Sequence, residues 1–435
     1  MPRPFPEELL QTLWLRGIFD PFALRTRCGL PVRIIRPGRP NPNEGPDLEE
    51  AELYIGGLRW VGAIEFHLRS SDWARHGHHR DGRYNSVILH VVWQADGAPG
   101  ANHRADGSPL PELVLEPCVP ASIGALLPRL NRMSQRPYCA PDWERLDRWE
   151  AIAILEKLHL ARFLEKAHRF RALQEQLRGK TPTPWREALW QLLAEGLGYS
   201  ANREPMRLLA DRVPLKRLSP LPTPLAREAL LFGTAGWLPL PGTGAYPEAL
   251  RTTWEAISDK PEPLPRSLWR TRRLRPANHP IRRIAQAAAI AERLLQEDFE
   301  HRARRAVQGG TAALRQLLQV RPSEYWQPIP LGGPSTARTS GLGRERLDSL
   351  LANALLPALW HLEVEERPEN WAERLIALYR TLPLHGLNRI TRHFAHSPFD
   401  PRTEADAQAL HHLYATFCLQ RGCLSCPVAA RLYGI

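Results

Sequence analysis

The apolar positions change period along the chain. Leu9, Leu10, Leu13 and Trp14 recur at helical spacing after Pro4 and Pro6, which predicts a first amphipathic helix. Period-two segments follow at Val32 to Ile35, Glu52 to Ile55 and Leu58 to Leu68, the last two joined across Gly56-Gly57. A diglycine between two apolar alternations predicts a hairpin, because both turn residues must take a positive φ. A polar, histidine-rich insert comes next. Then Ser86-Val-Ile-Leu-His-Val-Val-Trp93 has the continuous apolar composition of a buried strand. From about Asp142 helical periodicity dominates. Ile152, Leu155, Leu158, Phe163, Leu164, Ala167 and Phe170 form one long stripe, and further helices are expected around 185–197, 283–296, 345–361, 370–382 and 403–419. Breaks rich in proline and glycine at 214–224, 238–248 and 328–343 separate them. The pattern gives an α+β chain, with a mixed-sheet domain over 1–125 and a larger all-α region over 140–435. Within the latter, 380–435 is a candidate module for binding a metal through cysteines, or nucleic acid.

The length of 435 residues suits two or three domains, and 43% hydrophobic with 24% charged residues is a globular balance. No stretch approaches the roughly 18 apolar residues of a membrane span. The first residues carry acids where a signal peptide needs an apolar core, which argues for a cytoplasmic protein. Net charge is +12, and only five of the 58 basic residues are lysines: Lys157, Lys166, Lys180, Lys216 and Lys260. Such a balance suits a polyanion such as nucleic acid, although a GC-rich genome or a thermophile gives the same excess of arginine. The local concentration is more telling. Arg266, Arg270, Arg272, Arg273, Arg275, Arg282 and Arg283, interleaved with Trp269, fall in one span with no acid between Glu262 and Glu292. Guanidinium groups clamp phosphates and aromatics stack on bases, so this span is a candidate nucleic-acid surface. The plainer reading is a solvated face with structural ion pairs.

Candidate chemistry begins at Asn41-Pro-Asn-Glu-Gly-Pro-Asp47, ahead of a strand, with Glu65-Phe66-His67 on the next strand. Alternation puts Val61, Ala63, Glu65 and His67 on one face, so two ionisable groups share a face that would otherwise be apolar. Asp47 comes within ligand distance of Glu65 across the hairpin. Two carboxylates make an oxygen cage for Mg²⁺ or Mn²⁺, an ion that activates water and screens a phosphodiester. The layout resembles the PD-(D/E)xK nuclease superfamily: Pro46-Asp47 as the first half, Glu65-Phe66-His67 as the second, and Glu8 on the first helix as a further acid. His67 stands where that pattern has lysine, so the water-orienting group would be an imidazole without permanent charge. In the plain alternative, Asp47 caps a turn and Glu65 pairs with an arginine.

The insert from Ser71 to Asp81 adds Asp72, His76 and His78, and the apolar strand adds His90. Histidine at this density holds Zn²⁺ or Mn²⁺, with Asp72 or Asp81 completing a set, or relays protons beside phosphate. These residues are expected to support the carboxylate site.

Several ordered motifs resemble the bacterial family called domain of unknown function 2851. They are Gly45-Pro-Asp-Leu, Gly62-Ala-Ile-Glu-Phe-His67, Ser71-Asp-Trp73, His76-x-His78 and Tyr84-Asn-Ser-Val-Ile-Leu-His-Val-Val92. Farther on, Glu195-Gly-Leu-Gly-Tyr199, Leu231-Phe-Gly-Thr-Ala-Gly-Trp237 and Leu274-Arg-Pro-Ala-Asn278 continue it. The resemblance implies that ExH is the family's own form of the motif.

Six cysteines without an export signal argue against disulfides. Cys418, Cys423 and Cys426 follow a C-x₄-C-x₂-C spacing suited to Zn²⁺ or an iron–sulfur cluster. The text around them resembles the 4Fe–4S loop of endonuclease III-type glycosylases, with Cys139 as the chosen distant fourth ligand. His411, His412, Cys118 and Cys28 are alternatives. The expected activity is metal-dependent hydrolysis of DNA or RNA phosphodiesters. The alternative is a catalytically inactive nuclease-like protein that binds nucleic acid or serves as a scaffold.

Overall fold

In a computed structural model, residues 5, 7–41, 44–124, 137, 139–240, 244–272, 274, 278–326, 341–362, 370–420 and 422–434 are described. The chain divides into two compact units. The first comprises 1–154, 396–399 and 413–435, and the second 155–395 and 400–412. The terminal cysteine segment therefore belongs with the sheet. The sequence division at 140 had grouped it with the preceding helices.

The first unit is built on a six-stranded sheet whose five main strands are β1 (Val32–Arg36), β2 (Leu48–Ile55), β3 (Leu58–Arg69), β4 (Val87–Gln94) and β5 (Glu112–Val114), with the two-residue strand Arg39–Pro40 paired to the start of β2. The five main strands lie side by side in chain order. β1, β2 and β3 pair antiparallel, whereas β3, β4 and β5 run parallel. Gly56 and Gly57, at φ of 57° and 85°, make the tight turn between β2 and β3 that only glycine enters without strain. β2 starts at Leu48, four residues before the sequence expectation, so Asp47 directly precedes it.

Both sides of the central strands are covered. The helix α1 (Glu7–Arg16) buries Leu9, Leu10, Leu13 and Trp14, with the Trp14 ring edge-on to Phe66 at 6.0 Å. Ala63, Trp73, Tyr84, Val87 and Leu110 form a second apolar cluster in this unit. β4 is buried from Val87 to Trp93, which explains why its sequence shows no alternation.

The second unit is helical. Its helices include Pro184–Leu197, Pro224–Thr234, Ala245–Ala256, Pro280–Leu294, Phe299–Gln308 and Trp371–Arg380. Trp190, Leu231, Phe232, Ile284, Leu355 and Leu375 lie in one continuous core there. Part of the expected break at 238–248 is helix from Ala245, because Pro247 sits in a first turn, where its missing N–H costs nothing. Among the described residues no helix is long and apolar enough to cross a membrane.

Gly62 sits where β3 meets β4. A Cβ there would lie 2.4 Å from the Ser86 carbonyl oxygen and 2.6 Å from Ile88 Cγ2. Gly62→Ala is expected to cost about 1–3 kcal/mol through forced strand separation. A lowered urea midpoint for the sheet unit checks this, and an unchanged midpoint would contradict it.

Candidate metal site on the sheet

Parallel pairing places Glu65 opposite His90, and His90 opposite Glu112. Three ionisable residues thus form a row across β3, β4 and β5. His67 lies two positions beyond Glu65 on the same face. Glu65, His67, His90 and Glu112 are all buried, a state that costs several kcal/mol per charge unless partners compensate it.

At one end of the row compensation is complete. Glu112 accepts hydrogen bonds from Arg27 at 2.8 Å, Ser70 at 2.7 Å and Asn102 at 3.0 Å, with His90 Nδ1 at 3.0 Å. Burial would raise this carboxyl, but the hydrogen bonds from His90, Ser70 and Arg27 prevail and hold it at about 2. The network continues inward. His90 Nε2 lies 2.9 Å from His67 Nδ1, and His67 Nε2 lies 3.1 Å from His76 Nδ1.

At the other end two carboxylates share few donors. The N–H of Asp47 donates to Glu65 Oε2 at 2.9 Å, and the N–H of Phe66 donates to Asp47 Oδ2 at 2.9 Å. This reciprocal pair fixes both side chains across the β2–β3 register. Burial pushes Glu65 up to about 9, and the Asp47 charge adds to it. Burial likewise raises Asp47 to about 6, against the Phe66 hydrogen bond and helped by Glu7 and Glu8. Such upward shifts mark carboxyls whose charged form is disfavoured by burial and by each other's proximity.

Glu8 is exposed on α1, while Glu7 is half-buried and acts on both carboxyls. Helical phase accounts for this, since Glu7 leads the buried Leu10 and Trp14 by three and seven positions. His67 has both ring nitrogens committed to other histidines, so it is a node in a chain and not a free substitute for lysine.

His76 and His78 reach the same place through a sharp turn after the short helix Asp72–Arg75. Gly77, at φ 82°, supplies the left-handed residue between them. The His78 ring stacks on Tyr84 at 3.8 Å, and its Nε2 lies 3.4 Å from Glu65 Oε1. Burial, then the nearby His76 and His90, lower His78 to about 4. Asp72 and Asp81, expected as candidates here, are used elsewhere. Asp72 accepts from the Arg69 N–H and pairs with Arg75, while Asp81 pairs with Arg83. Glu112 and Glu7 are not among the candidates the sequence offers, and Tyr84 appears there only within a motif. The three-residue β5 is too short to show a period, and only the helical phase of α1 distinguishes Glu7 from Glu8.

Three of the cysteines, Cys139, Cys423 and Cys426, are also neighbours within the first unit, although among the described residues no three cysteine sulfurs lie mutually within the 4.8 Å of the histidine group. Cys139, Cys418, Cys423 and Cys426 are all buried. The Trp143 indole N–H donates to Cys139 Sγ at 3.3 Å. Burial raises Cys139 and Cys423 to about 12, with Cys426 adding to both and Cys139 also acting on Cys423, so these three thiols are electrostatic neighbours. The segment is held by Ser122 Oγ donating to the Tyr433 carbonyl at 2.7 Å and by Tyr433 OH donating to Asp142 at 2.6 Å.

The arginine span of the second unit is not one surface. Trp269 is buried, with its indole N–H on the Ala235 carbonyl at 2.9 Å, and so cannot stack on a base. Arg283 is buried too, donating to Gln286, Tyr199 and Asn278. Arg282 is half-buried, whereas Arg266, Arg270 and Arg272 are exposed. Arg266 nonetheless donates to the carbonyls of Gly236 and Pro239. Arg273 and Arg275 lie outside the described residues.

The depressed Glu112 carboxyl makes a pH-dependent contribution to stability. Its stabilisation is complete above about 4.5 and is lost as pH falls towards about 2. Glu112→Gln is expected to remove on the order of 3 kcal/mol at pH 7 and to flatten the acid limb between those values. Denaturant midpoints measured against pH check this, and an unchanged limb would contradict it.

No curated protein and no solved structure matches the chain. Residues 7–386 match the family described as protein of unknown function (DUF2851), and the chain belongs to that family.

Proposed function

We propose that the sheet unit is a divalent-cation-dependent nuclease, cleaving phosphodiester bonds of DNA or RNA at Asp47 and Glu65. The observation that carries this reading is the reciprocal bond pair between the two strands. It fixes the buried Glu65 carboxyl beside the half-buried Asp47 carboxyl. Hard oxygen donors so placed fit Mg²⁺ or Mn²⁺. When bound, such an ion supplies an activated water and screens the phosphodiester charge. The order of helix, strand, Pro-Asp strand, ExH strand and apolar strand supports the resemblance to the PD-(D/E)xK superfamily.

Each side chain then has a task. Asp47 and Glu65 hold the cation, and Glu7, nearer than Glu8, adds negative charge beside them. His67 occupies the lysine position of the motif, but its role is to keep the polar row aligned. The exposed His76 is the group of that chain which meets solvent. A nucleic-acid substrate is supported by the net charge of +12.

Asp47→Asn and Glu65→Gln keep the backbone hydrogen bonds but remove ligand charge. Losing several kcal/mol of charge stabilisation means roughly 10³-fold slower cleavage with Mg²⁺ or Mn²⁺, with an unchanged far-UV spectrum. Wild-type protein that binds nucleic acid with steep salt dependence yet cuts none at several pH values would contradict the enzyme reading.

We further propose that Cys139, Cys418, Cys423 and Cys426 hold one metal centre, because the C-x₄-C-x₂-C segment lies in the same unit as Cys139 and places Cys423 and Cys426 beside it. Anaerobically purified protein is expected to carry a 4Fe–4S cluster, seen as brown colour and broad absorbance, or about one Zn²⁺ held by thiolates. Iron and zinc both unchanged after Cys426→Ser would contradict a cysteine-held centre.

A further inference from the structure

We propose that His67, His76 and His78, together with Glu65 Oε1, form a second site on the sheet, for a nitrogen-preferring transition ion of the zinc class. It shares only Glu65 with the carboxylate pair and stands whether or not that pair cleaves phosphodiesters.

The donor geometry carries the inference. The three histidine ligand atoms all lie within 4.8 Å of one another. His67 Nε2 is 3.1 Å from His76 Nδ1 and 3.7 Å from Glu65 Oε1, and His78 Nε2 is 3.4 Å from the same oxygen. Bonds of roughly 2.0–2.1 Å in a tetrahedron put neighbouring donors about 3.3 Å apart. These three separations lie near that edge, with Glu65 Oε1 close to His67 and His78 and outside the group that includes His76. Three imidazoles and one carboxylate oxygen suit zinc far better than magnesium, which prefers oxygen and keeps its waters.

The surrounding hydrogen bonds prepare the donors. Glu112 Oε2 lies 3.0 Å from His90 Nδ1 and faces it as a hydrogen-bond acceptor. In the tautomer in which His90 Nδ1–H donates to Glu112, His90 Nε2 accepts from His67 Nδ1–H, which leaves the lone pair of His67 on Nε2, facing the cluster. A carboxylate–imidazole chain behind a ligating histidine is the usual outer shell of a metal site, fixing tautomer and ring orientation. His78 is held by its stacks on Tyr84 and on His67. Between His67 Nε2 and His76 Nδ1 one proton makes the present hydrogen bond, and a cation would take its place. Access runs past His76, which is exposed while His67 and His78 are buried.

Glu65 divides its two oxygens between the sites. Oε2 receives the Asp47 N–H, and Oε1 faces the histidines. One carboxylate thus borders an oxygen-lined site on one side and a nitrogen-lined site on the other.

The test is Zn²⁺ binding to the metal-stripped full chain, read by elemental analysis after desalting, with Co²⁺ as a spectroscopic probe. One Zn²⁺ per chain is expected to disappear in both His76→Ala and His78→Ala and to persist in Asp47→Asn and in Cys426→Ser. Its Co²⁺ form is expected to show visible ligand-field bands without thiolate charge transfer in Cys426→Ser. His76 is exposed, so His76→Ala removes a donor without opening the core. A zinc content undiminished in both histidine variants made in the Cys426→Ser background, zinc lost only with Cys426, or no zinc bound by the wild-type chain would each overturn the proposal. Persistence of zinc in Asp47→Asn also separates this site from the proposed nuclease centre, whose failure would appear as absent cleavage with zinc still bound.

Discussion

The parallel register of β3, β4 and β5 is the constraint on which the rest of the sheet unit depends. It sets Glu65, His90 and Glu112 in one buried row, and a one-residue slip would send all three to the opposite face. Burial penalises both glutamates, yet they end in opposite states. Glu112 finds an arginine, a serine, an asparagine and a histidine, and remains charged. Glu65 receives one backbone N–H and lies beside Asp47, so its charge is disfavoured. The same strand geometry therefore supplies an anchored acid at one end and an acid in need of a cation at the other. The histidines between them connect the two.

This polarity explains why the local turns are shaped as they are. Asp47 stands one residue ahead of β2, where its own N–H and carboxylate can both reach β3. Gly77 lets His76 and His78 turn back over the sheet face instead of continuing a helix into solvent. Asp72 and Asp81 hold the ends of that insert by pairing with arginines close in sequence. Acids that secure loops and acids that are left short of partners are thereby segregated within a span of about 35 residues from Asp47 to Asp81. The separation is electrostatic in origin. A loop carboxylate with an adjacent guanidinium gains nothing from a metal, whereas a buried pair without one gains a great deal.

Much of this was legible in the sequence where a short-range rule applied. The glycine pair fixed a hairpin, alternation set Glu65 and His67 on one face, and the apolar run from Val87 marked a buried strand. What escaped depends on contacts distant in the chain. Glu112 lies on a strand of three residues, too short for any period. The acid of α1 that acts on both carboxyls is Glu7, and only the phase of the buried face distinguishes it from Glu8. Trp269 and Arg283 read as a basic, aromatic surface because composition records charge without burial, and in the fold both are core residues. The terminal cysteines joined the sheet unit across some 280 residues of intervening chain, a pairing that no local pattern encodes.

Asp47 and Glu65 are proposed to hold a divalent cation between them. Anomalous scattering from manganese, in crystals of the full chain grown with Mn²⁺, tests it most directly. The account requires a peak within coordination distance of an oxygen from each carboxylate. Well-ordered Asp47 and Glu65 side chains with no manganese between them would contradict it.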